Sequence, residues 1–142
     1  MAADPDCLFC KLAAGTIPVA RIYEDDLSLA FLDIGPINPG HLLLIPKGHH
    51  ATLADVPDDL AAALGALLPR LCRAVQSATG AEGLNVIANL GAVAGQSVPH
   101  CHWHVIPRHA DDAFRWPWPA GKYDGEALER TRAGIASALA AE

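Results

Sequence analysis

The chain has 142 residues, of which 51% are hydrophobic and 18% charged, and its formal net charge is −6. The length is that of one domain and the apolar content exceeds that of disordered chains, so we expect a single folded domain over residues 1–142. The acidic balance argues against partners that need a basic surface, namely nucleic acid and anionic membranes.

Neither the N-terminal residues nor the aliphatic runs of the sequence predict export. The first six residues carry two aspartates and no basic residue, and the longest aliphatic run spans only residues 42–45. We therefore expect no secretory signal, no membrane span and a cytoplasmic location. Disulfides are rare in that compartment, so the four cysteines favour metal or redox roles. They are Cys7, Cys10, Cys72 and Cys101.

A short helix and three strands are predicted in the first third of the chain. Residues 8–14 indicate a helix that ends at Gly15. Residues 20–23 and 27–33 have strand-like patterns on either side of an acidic turn. After a loop rich in glycine and proline, residues 41–45 form an apolar run that is typical of a buried strand.

A long helix follows. Pro57 precedes Asp58 and Asp59, which is a typical helix start, and the apolar pattern then runs over residues 60–75. Pro69 lies inside this pattern and lacks an amide hydrogen, so we expect it to kink or split the helix.

The last part of the chain predicts two strands and a helix. The strands cover residues 84–89 and 100–106, the segment 116–119 is irregular, and residues 125–141 form a C-terminal helix. The apolar stripe of that helix consists of Leu128, Ile135 and Leu139. Strands and helices do not alternate regularly, so the predicted class is α+β with a mostly antiparallel sheet.

Three histidines alternate with apolar residues in the last predicted strand. Successive side chains of a strand point to opposite faces, so His100, His102 and His104 would share one face. Imidazole at neutral pH can be a nucleophile, a proton carrier or a metal ligand. The residues alone leave open a tri-histidine metal site, a nucleophilic histidine assisted by a second one, and an exposed edge strand.

The Cys7-x-x-Cys10 motif is also open to several interpretations. A redox pair is disfavoured because such a motif follows a strand, and only six residues precede Cys7. A zinc site would need two more ligands, from His49 or His50 and one histidine of the triad. Two unrelated buried cysteines are an equally good interpretation of the spacing alone.

Other polar residues stand where site residues are often found. Gln96 and Ser97 offer hydrogen-bond donors in a turn just before the triad. Asp33 and Asn89 lie at the ends of predicted strands, and His41 begins another. Taken one by one, each is better explained by a turn, a cap or a buried structural role.

Together these segments resemble the histidine-triad (HIT) family of nucleotide hydrolases and nucleotide-binding proteins. The family signature, three histidines alternating with apolar residues, is present as HCHWHVI at residues 100–106. Further matching segments follow in family order: CLFCK, GTIP, YEDD, AFLDI, GHLLLIPK and GQSV. The resemblance covers residues 7 to about 108.

The resemblance implies a mechanism. His102 would attack the α-phosphorus of a nucleotide phosphoramidate, ester or dinucleoside polyphosphate to form a covalent nucleotidyl-histidine, which water then hydrolyses. His104 would help the leaving group depart and His41 would complete the relay. Gln96 and Ser97 would contact the phosphate and leaving group. Nucleotide-binding roles would fall to Asp33 (ribose), Asn89 (phosphate) and Phe9, Phe31 and Ile34 (base).

The resemblance also implies a structural zinc, a fold and a dimer. Zinc-bearing members have ligands matching Cys7, Cys10, His49 and His100, and the chemistry needs no metal. The implied fold is an antiparallel sheet of five to six strands with one long and one C-terminal helix. The implied ligand is an AMP-like purine nucleotide, and the implied assembly is a homodimer with joined sheets.

Three hypotheses follow, in order of preference. The first is a nucleotidyl hydrolase acting through His102. The second is a nucleotide-binding interaction module with little turnover. This hypothesis is disfavoured by the presence of the complete proposed catalytic set, which consists of His41, His102, His104, Gln96 and Ser97. The third is a tri-histidine metalloenzyme whose activity would be lost with a chelator.

Overall fold

The computed structural model describes residues 3–115 and 119–142, and the predicted irregular segment around Trp116 and Trp118 lies largely outside them. The α+β prediction is confirmed. The helices and strands are α1 Leu8–Ala13, β1 Arg21–Glu24, β2 Ser28–Leu32, β3 Leu42–Pro46, α2 Asp58–Thr79, β4 Gly83–Ile87, β5 Trp103–Arg108 and α3 Ala127–Leu139. Short 3₁₀ turns cover Leu53–Asp55 and Ala92–Ala94.

The strands form one five-stranded sheet in the order β1-β2-β3-β5-β4. Each neighbouring pair is antiparallel, as predicted. The central strand β3 pairs with β2 from Leu42, opposite Leu32, to Pro46, opposite Ser28. The strands β1 and β4 form the two edges of the sheet.

Both faces of the central strands are covered, which explains the continuous apolar run of β3. Leu42 and Leu44 pack in a cluster with α2, whereas Leu43 and Ile45 pack in a second cluster with α1. All four side chains are at most 5% exposed. The sheet therefore lies between a long helix on one face and the short N-terminal helix on the other.

The long helix α2 is not split at Pro69. It runs without a break from Asp58 to Thr79 and ends at Gly80, whose φ of 66° suits a residue without a side chain. Pro69 and Gly65, four residues earlier, are both exposed. Water can therefore bind the Gly65 carbonyl that proline leaves without an amide donor.

The predicted strand at residues 100–106 begins later than expected. Strand β5 starts at Trp103, so His104 is the triad histidine that lies within it. Continuing the β3–β5 pairing would bring Cys101 opposite Pro46, which has no amide hydrogen. The amide of Cys101 instead donates to the His50 carbonyl at 2.6 Å.

The alternation of side chains nevertheless holds. Cys101, Trp103 and Val105 are buried in the cluster that packs against α2. The rings of His102 and His104 lie together, with centroids 5.0 Å apart. The backbone is thus extended enough to place the histidines on the side opposite α2, against Phe9, before regular pairing begins.

Helix α3 does not bury its apolar stripe within the chain. Leu128, Ile135 and Leu139 are 57%, 67% and 70% exposed, although the sequence pattern predicts a packed face. Within the parts of the chain that the structure describes, no helix is both long and apolar enough to cross a membrane.

Candidate active site and metal centre

The hydrogen bond made by His102 defines its tautomer. Its Nδ1 lies 2.6 Å from the carbonyl oxygen of His100. A carbonyl can only accept, so Nδ1 carries a proton, and in the neutral ring the lone pair is then on Nε2. The ring is 4% exposed and is packed edge-on against Phe9, with the centroids 5.2 Å apart. The His102 ring is therefore held in one orientation, and in its neutral form Nε2 is the nitrogen available as a nucleophile.

A second chain of hydrogen bonds orients His104. The amide of Ile37 donates to Nδ1 of His41 at 3.2 Å, so the proton of His41 is on Nε2. That Nε2 lies 2.9 Å from Nδ1 of His104 and donates to it. His104 consequently carries its own proton on Nε2, the atom left free to donate to a ligand.

Burial keeps these two rings neutral. Burial, together with smaller effects of nearby His102 and His41, lowers the pKa of His104 to about 4. Burial also lowers the pKa of His41, against the opposing effect of the Asp33 carboxylate. The carboxylate oxygen Oδ2 of Asp33 lies 3.7 Å from Nε2 of His41. At neutral pH the relay therefore has one proton per ring.

A cavity of about 600 Å³ opens beside these histidines, and we call it the larger cavity. Its polar lining residues are His102, His104, Ser97 and Asp33. Its mainly apolar remainder fits a flat, weakly polar group such as a nucleobase. The apolar lining residues are Leu8, Phe9, Leu12, Ile17, Pro18, Val19, Ala20, Phe31, Leu32, Ile34, Leu43 and Val98.

All three predicted base-binding residues line this cavity. Phe9 and Phe31 are buried and pack edge-to-face, with centroids 5.7 Å apart. Ile34 lines the cavity but is otherwise fully exposed. Leu12 and Val98 also line the cavity but were not predicted from the sequence. Their closeness in sequence to Phe9 and Ser97 could have indicated them.

Gln96 and Asn89 lie elsewhere. The side-chain amide of Gln96 donates to the carbonyls of Ala51 and Val98 and accepts from the Gly91 amide, so it holds the turn together. Asn89 lines a second cavity of about 210 Å³, which also contacts His104. His104 lines both cavities. The residues that line the second cavity are Ile37, His41, Ile87, Asn89, His104, Ile106 and Phe114.

The three triad histidines do not converge on one point. His100 turns its Nδ1 towards two cysteines, at 3.3 Å from Sγ of Cys7 and 3.6 Å from Sγ of Cys10. His102 uses its Nδ1 on a backbone carbonyl. Among the residues that the structure describes, the triad does not form a group of metal-ligating atoms. The geometry thus disfavours the tri-histidine metal site.

One triad histidine does converge with three other residues. The ligating atoms of Cys7, Cys10, His49 and His100 all lie within 4.8 Å of one another. Nδ1 of His49 is 3.5 Å from Sγ of Cys10. Tetrahedral zinc would hold a sulfur and a nitrogen about 3.5 Å apart, given Zn–S of about 2.3 Å and Zn–N of about 2.0 Å. The observed spacings therefore fit zinc.

The surroundings of this cluster also suit a metal. Nε2 of His100 donates to the Pro46 carbonyl at 2.9 Å, which leaves Nδ1 free as a ligand. Oδ2 of Asp4 lies 4.0 Å from Nε2 of His49. Oxygen partners on the second nitrogen are typical of histidines that bind metals. Burial also raises the pKa of the Cys10 thiol, so a thiolate there needs a cation nearby.

Comparison with known proteins identifies the family. The family model described as "HIT domain" matches residues 14–111, so the chain belongs to the HIT family. A Bacillus subtilis protein named protein hit is 42% identical over 138 residues, covering 95% of each chain. The Schizosaccharomyces pombe adenosine 5'-monophosphoramidase hnt1 is 36% identical over 134 residues, covering 94% of this chain and 98% of its own.

Solved structures agree in fold. A crystal structure of a Streptococcus mutans protein superposes with a TM-score of 0.92 at 41% identity, covering 98% of this chain and 89% of its own. A zinc-bound histidine-triad family protein from Mycobacterium smegmatis has a TM-score of 0.73 at 37% identity and covers 96% of this chain and 98% of its own.

Proposed function

We propose that this HIT-family chain is a nucleotide hydrolase that acts at the α-phosphorus through a covalent nucleotidyl intermediate on His102. One observation carries the proposal. Nδ1 of His102 donates its proton to the His100 carbonyl, which leaves Nε2 free, and the His102 ring lines the larger cavity. A buried neutral imidazole held in this tautomer is prepared for attack on phosphorus.

The proposed chemistry has two steps. In the first, the Nε2 lone pair of His102 forms a bond to phosphorus and the bond to the leaving group breaks. The Nε2 proton of His104 passes to the departing atom, and the negative charge left on the hydrogen-bonded pair of His104 and His41 is balanced by the positive charge that the His102 ring gains on bonding to phosphorus. In the second, water attacks phosphorus, its proton returns to His104, and the bond to His102 breaks. The products are a nucleoside monophosphate and the protonated leaving group.

The larger cavity supports an AMP-like purine nucleotide as the ligand. Phe9, Phe31 and Ile34 would contact the base, and the Asp33 carboxylate would accept hydrogen bonds from the ribose hydroxyls. Ser97 would contact the phosphate, and Gln96 would hold the turn that carries it. In the second cavity, Asn89 would contact the phosphate end or the leaving group.

An adenosine 5'-phosphoramidate is the first substrate to test. The S. pombe relative is named an adenosine 5'-monophosphoramidase, and it is similar to this chain over nearly its whole length. The expected products are AMP and ammonia. The dinucleoside polyphosphates and nucleotidyl esters are further members of the same proposed class, because each releases a group from the α-phosphorus.

Replacement of the nucleophile tests the proposal. His102→Ala should abolish AMP release while the variant still binds AMP, and denaturing mass spectrometry under alkaline conditions should find the adenylyl adduct on the wild-type protein and not on this variant. His109→Ala, a half-exposed histidine outside both cavities, is the matched control and should keep its activity. Continued turnover by His102→Ala would contradict the proposal. Tight nucleotide binding by the wild type without turnover of any substrate would indicate a binding module.

We also propose that Cys7, Cys10, His49 and His100 hold a structural zinc ion. The spacing of their ligating atoms and the zinc-bound M. smegmatis relative support this assignment. Such an ion would attach the N-terminal helix to the segment that precedes β5. It would supply no chemistry to the phosphate. Cysteine-ligated zinc suits a compartment that keeps thiols reduced, in agreement with the proposed cytoplasmic location.

A homodimer completes the proposal. Strand β4 is an edge strand, and its Val86 is 45% exposed. Leu90 and Val93, just after this strand, are 41% and fully exposed. Pairing of two β4 edges would cover these groups and join the sheets of two copies.

A further inference from the structure

A buried carboxylate lies just after the last strand, outside both cavities. The Asp112 side chain is 4% exposed and accepts two hydrogen bonds from the guanidinium of Arg108, at 2.7 and 2.8 Å. The backbone amides of His109 and Phe114 also donate to it, each at 3.1 Å. A fifth donor is the side-chain amide of Asn38, at 3.0 Å.

This carboxylate is permanently charged at neutral pH. The hydrogen bonds from Arg108 hold the pKa of Asp112 far below its ordinary range, and the His109 amide lowers it further. A buried, ionised aspartate with five donors is a rigid attachment point. The proposed chemistry gives it no role, because Asp112 lines neither the larger nor the second cavity.

The bond from Asn38 connects Asp112 to the loop before His41. The Nδ2 atom of Asn38 donates to Asp112 and also to the Pro107 carbonyl at 2.8 Å. Its backbone carbonyl accepts from the His41 amide at 3.0 Å. The residue before it, Ile37, donates its amide to Nδ1 of His41. The loop that assigns the proton of His41 is therefore held by Asp112.

We propose that Asp112 is a positioning residue for the HIT reaction: through Asn38 it keeps the Ile37 amide on Nδ1 of His41, so that His104 holds its proton on Nε2. This inference rests on the proposed function for its catalytic meaning. Without the tether, His41 can adopt the other tautomer, and His104 then loses the donor that defines its own.

Two neighbouring aspartates allow a matched comparison. Asp112→Asn keeps the size of the side chain but places an NH₂ group against guanidinium or amide donors in either orientation. Asp111→Asn makes the same chemical change at an exposed position next to it. The proteins are compared as full-length chains with two substrates, adenosine 5'-phosphoramidate and the p-nitrophenyl ester of AMP.

The substrates differ in their need for a proton. An amine must be protonated to leave, whereas p-nitrophenolate leaves as an anion. Asp112→Asn should therefore lower kcat on the phosphoramidate by about tenfold or more, and kcat on the ester by about twofold or less, since general acid catalysis contributes on the order of 10²–10⁴. Asp111→Asn should match the wild type on both. An equal loss on both substrates would overturn the inference.

The tautomers give a second readout that needs no turnover. Long-range proton–nitrogen correlation spectra of the ¹⁵N-histidine-labelled protein should show His41 and His104 protonated on Nε2 in the wild type, and a mixture in Asp112→Asn. Unchanged tautomers would overturn the inference. If the wild type hydrolyses neither substrate, the proposed function fails, while these spectra still decide whether Asp112 orients His41.

Asn38→Ala covers the case in which Asp112→Asn does not fold. It removes the tether and leaves the pair between Arg108 and Asp112 intact. We expect the same selective loss on the phosphoramidate and the same mixture of tautomers. If Asn38→Ala keeps both the wild-type substrate ratio and the wild-type spectra, Asp112 does not act through this loop and the inference is wrong.

Discussion

His100 contacts the proposed nucleophile and the proposed metal-ligand cluster of Cys7, Cys10 and His49 with different atoms. Its carbonyl oxygen accepts the Nδ1 proton of His102 at 2.6 Å, while its own ring nitrogen lies 3.3 Å from Sγ of Cys7. The residue is completely buried. A change in this cluster that moves His100 would therefore also move the backbone carbonyl that orients the His102 ring.

We expect that removal of one metal ligand weakens folding more than chemistry. Cys7→Ser and His100→Ala should bind less than stoichiometric zinc and lose about 2–3 kcal/mol of unfolding free energy, because a buried ligand set is broken. Metal analysis and urea unfolding check this. Cys72→Ser, a partly buried cysteine outside the cluster, is the control and should retain its zinc. Full zinc content in Cys7→Ser would contradict the assignment.

Asp33 should distinguish ribonucleotides from deoxyribonucleotides. Its carboxylate lines the larger cavity, and a hydrogen bond to a charged acceptor contributes about 1.5–3 kcal/mol. We expect Asp33→Asn to bind AMP about 10- to 100-fold more weakly, which is the change in affinity that corresponds to this energy. Binding of 2'-deoxy-AMP should change less, as measured by calorimetry. Equal losses for the two nucleotides would show that Asp33 does not contact the 2'-hydroxyl.

Stability should fall as the solution becomes acidic. The pKa of His104 is lowered from 6.5 to about 4 in the folded state, so the unfolded chain takes up a proton first. The stability that neutral His104 contributes is complete above pH 6.5 and is lost as the pH falls towards 4. His41 acts in the same direction. Urea unfolding at several pH values checks this.

The proposed zinc site would also lose its metal in acid, because metal ligands must be deprotonated, so the comparison needs a variant that leaves this site intact. His104→Gln removes one ionisable ring outside the cluster. Its unfolding free energy should depend less steeply on pH between 6.5 and 4 than that of the wild type. Identical slopes would show that His104 is not the responsible group.

The edge of β4 should control assembly. Val86→Lys places a charge on this edge and should convert the proposed dimer to a monomer in light scattering. Ile22→Lys makes the same change on the other edge strand, β1, at a residue with similar exposure, and should remain dimeric. If Ile22→Lys alone becomes monomeric, the sheets join through β1 instead.

Local patterns in the sequence predicted much of the fold. The alternation of His100, His102 and His104 with apolar residues predicted which side chains face the core, because that depends only on extended backbone. It did not predict where pairing begins, since that depends on Pro46 in a distant strand. The exposed apolar stripe of α3 likewise shows that an apolar pattern alone does not predict whether another part of the chain packs against it.

The sequence by itself determined the α+β class, the family and the residue types available for chemistry. Only the tertiary structure decided how they divide: Nδ1 of His100 faces cysteines 90 or more residues away, and the amide of Ile37 assigns the proton of His41. The positioning role proposed for Asp112 could be inferred only from the tertiary structure. Tautomers and ligand sets depend on contacts between distant segments, and chain spacing does not record them.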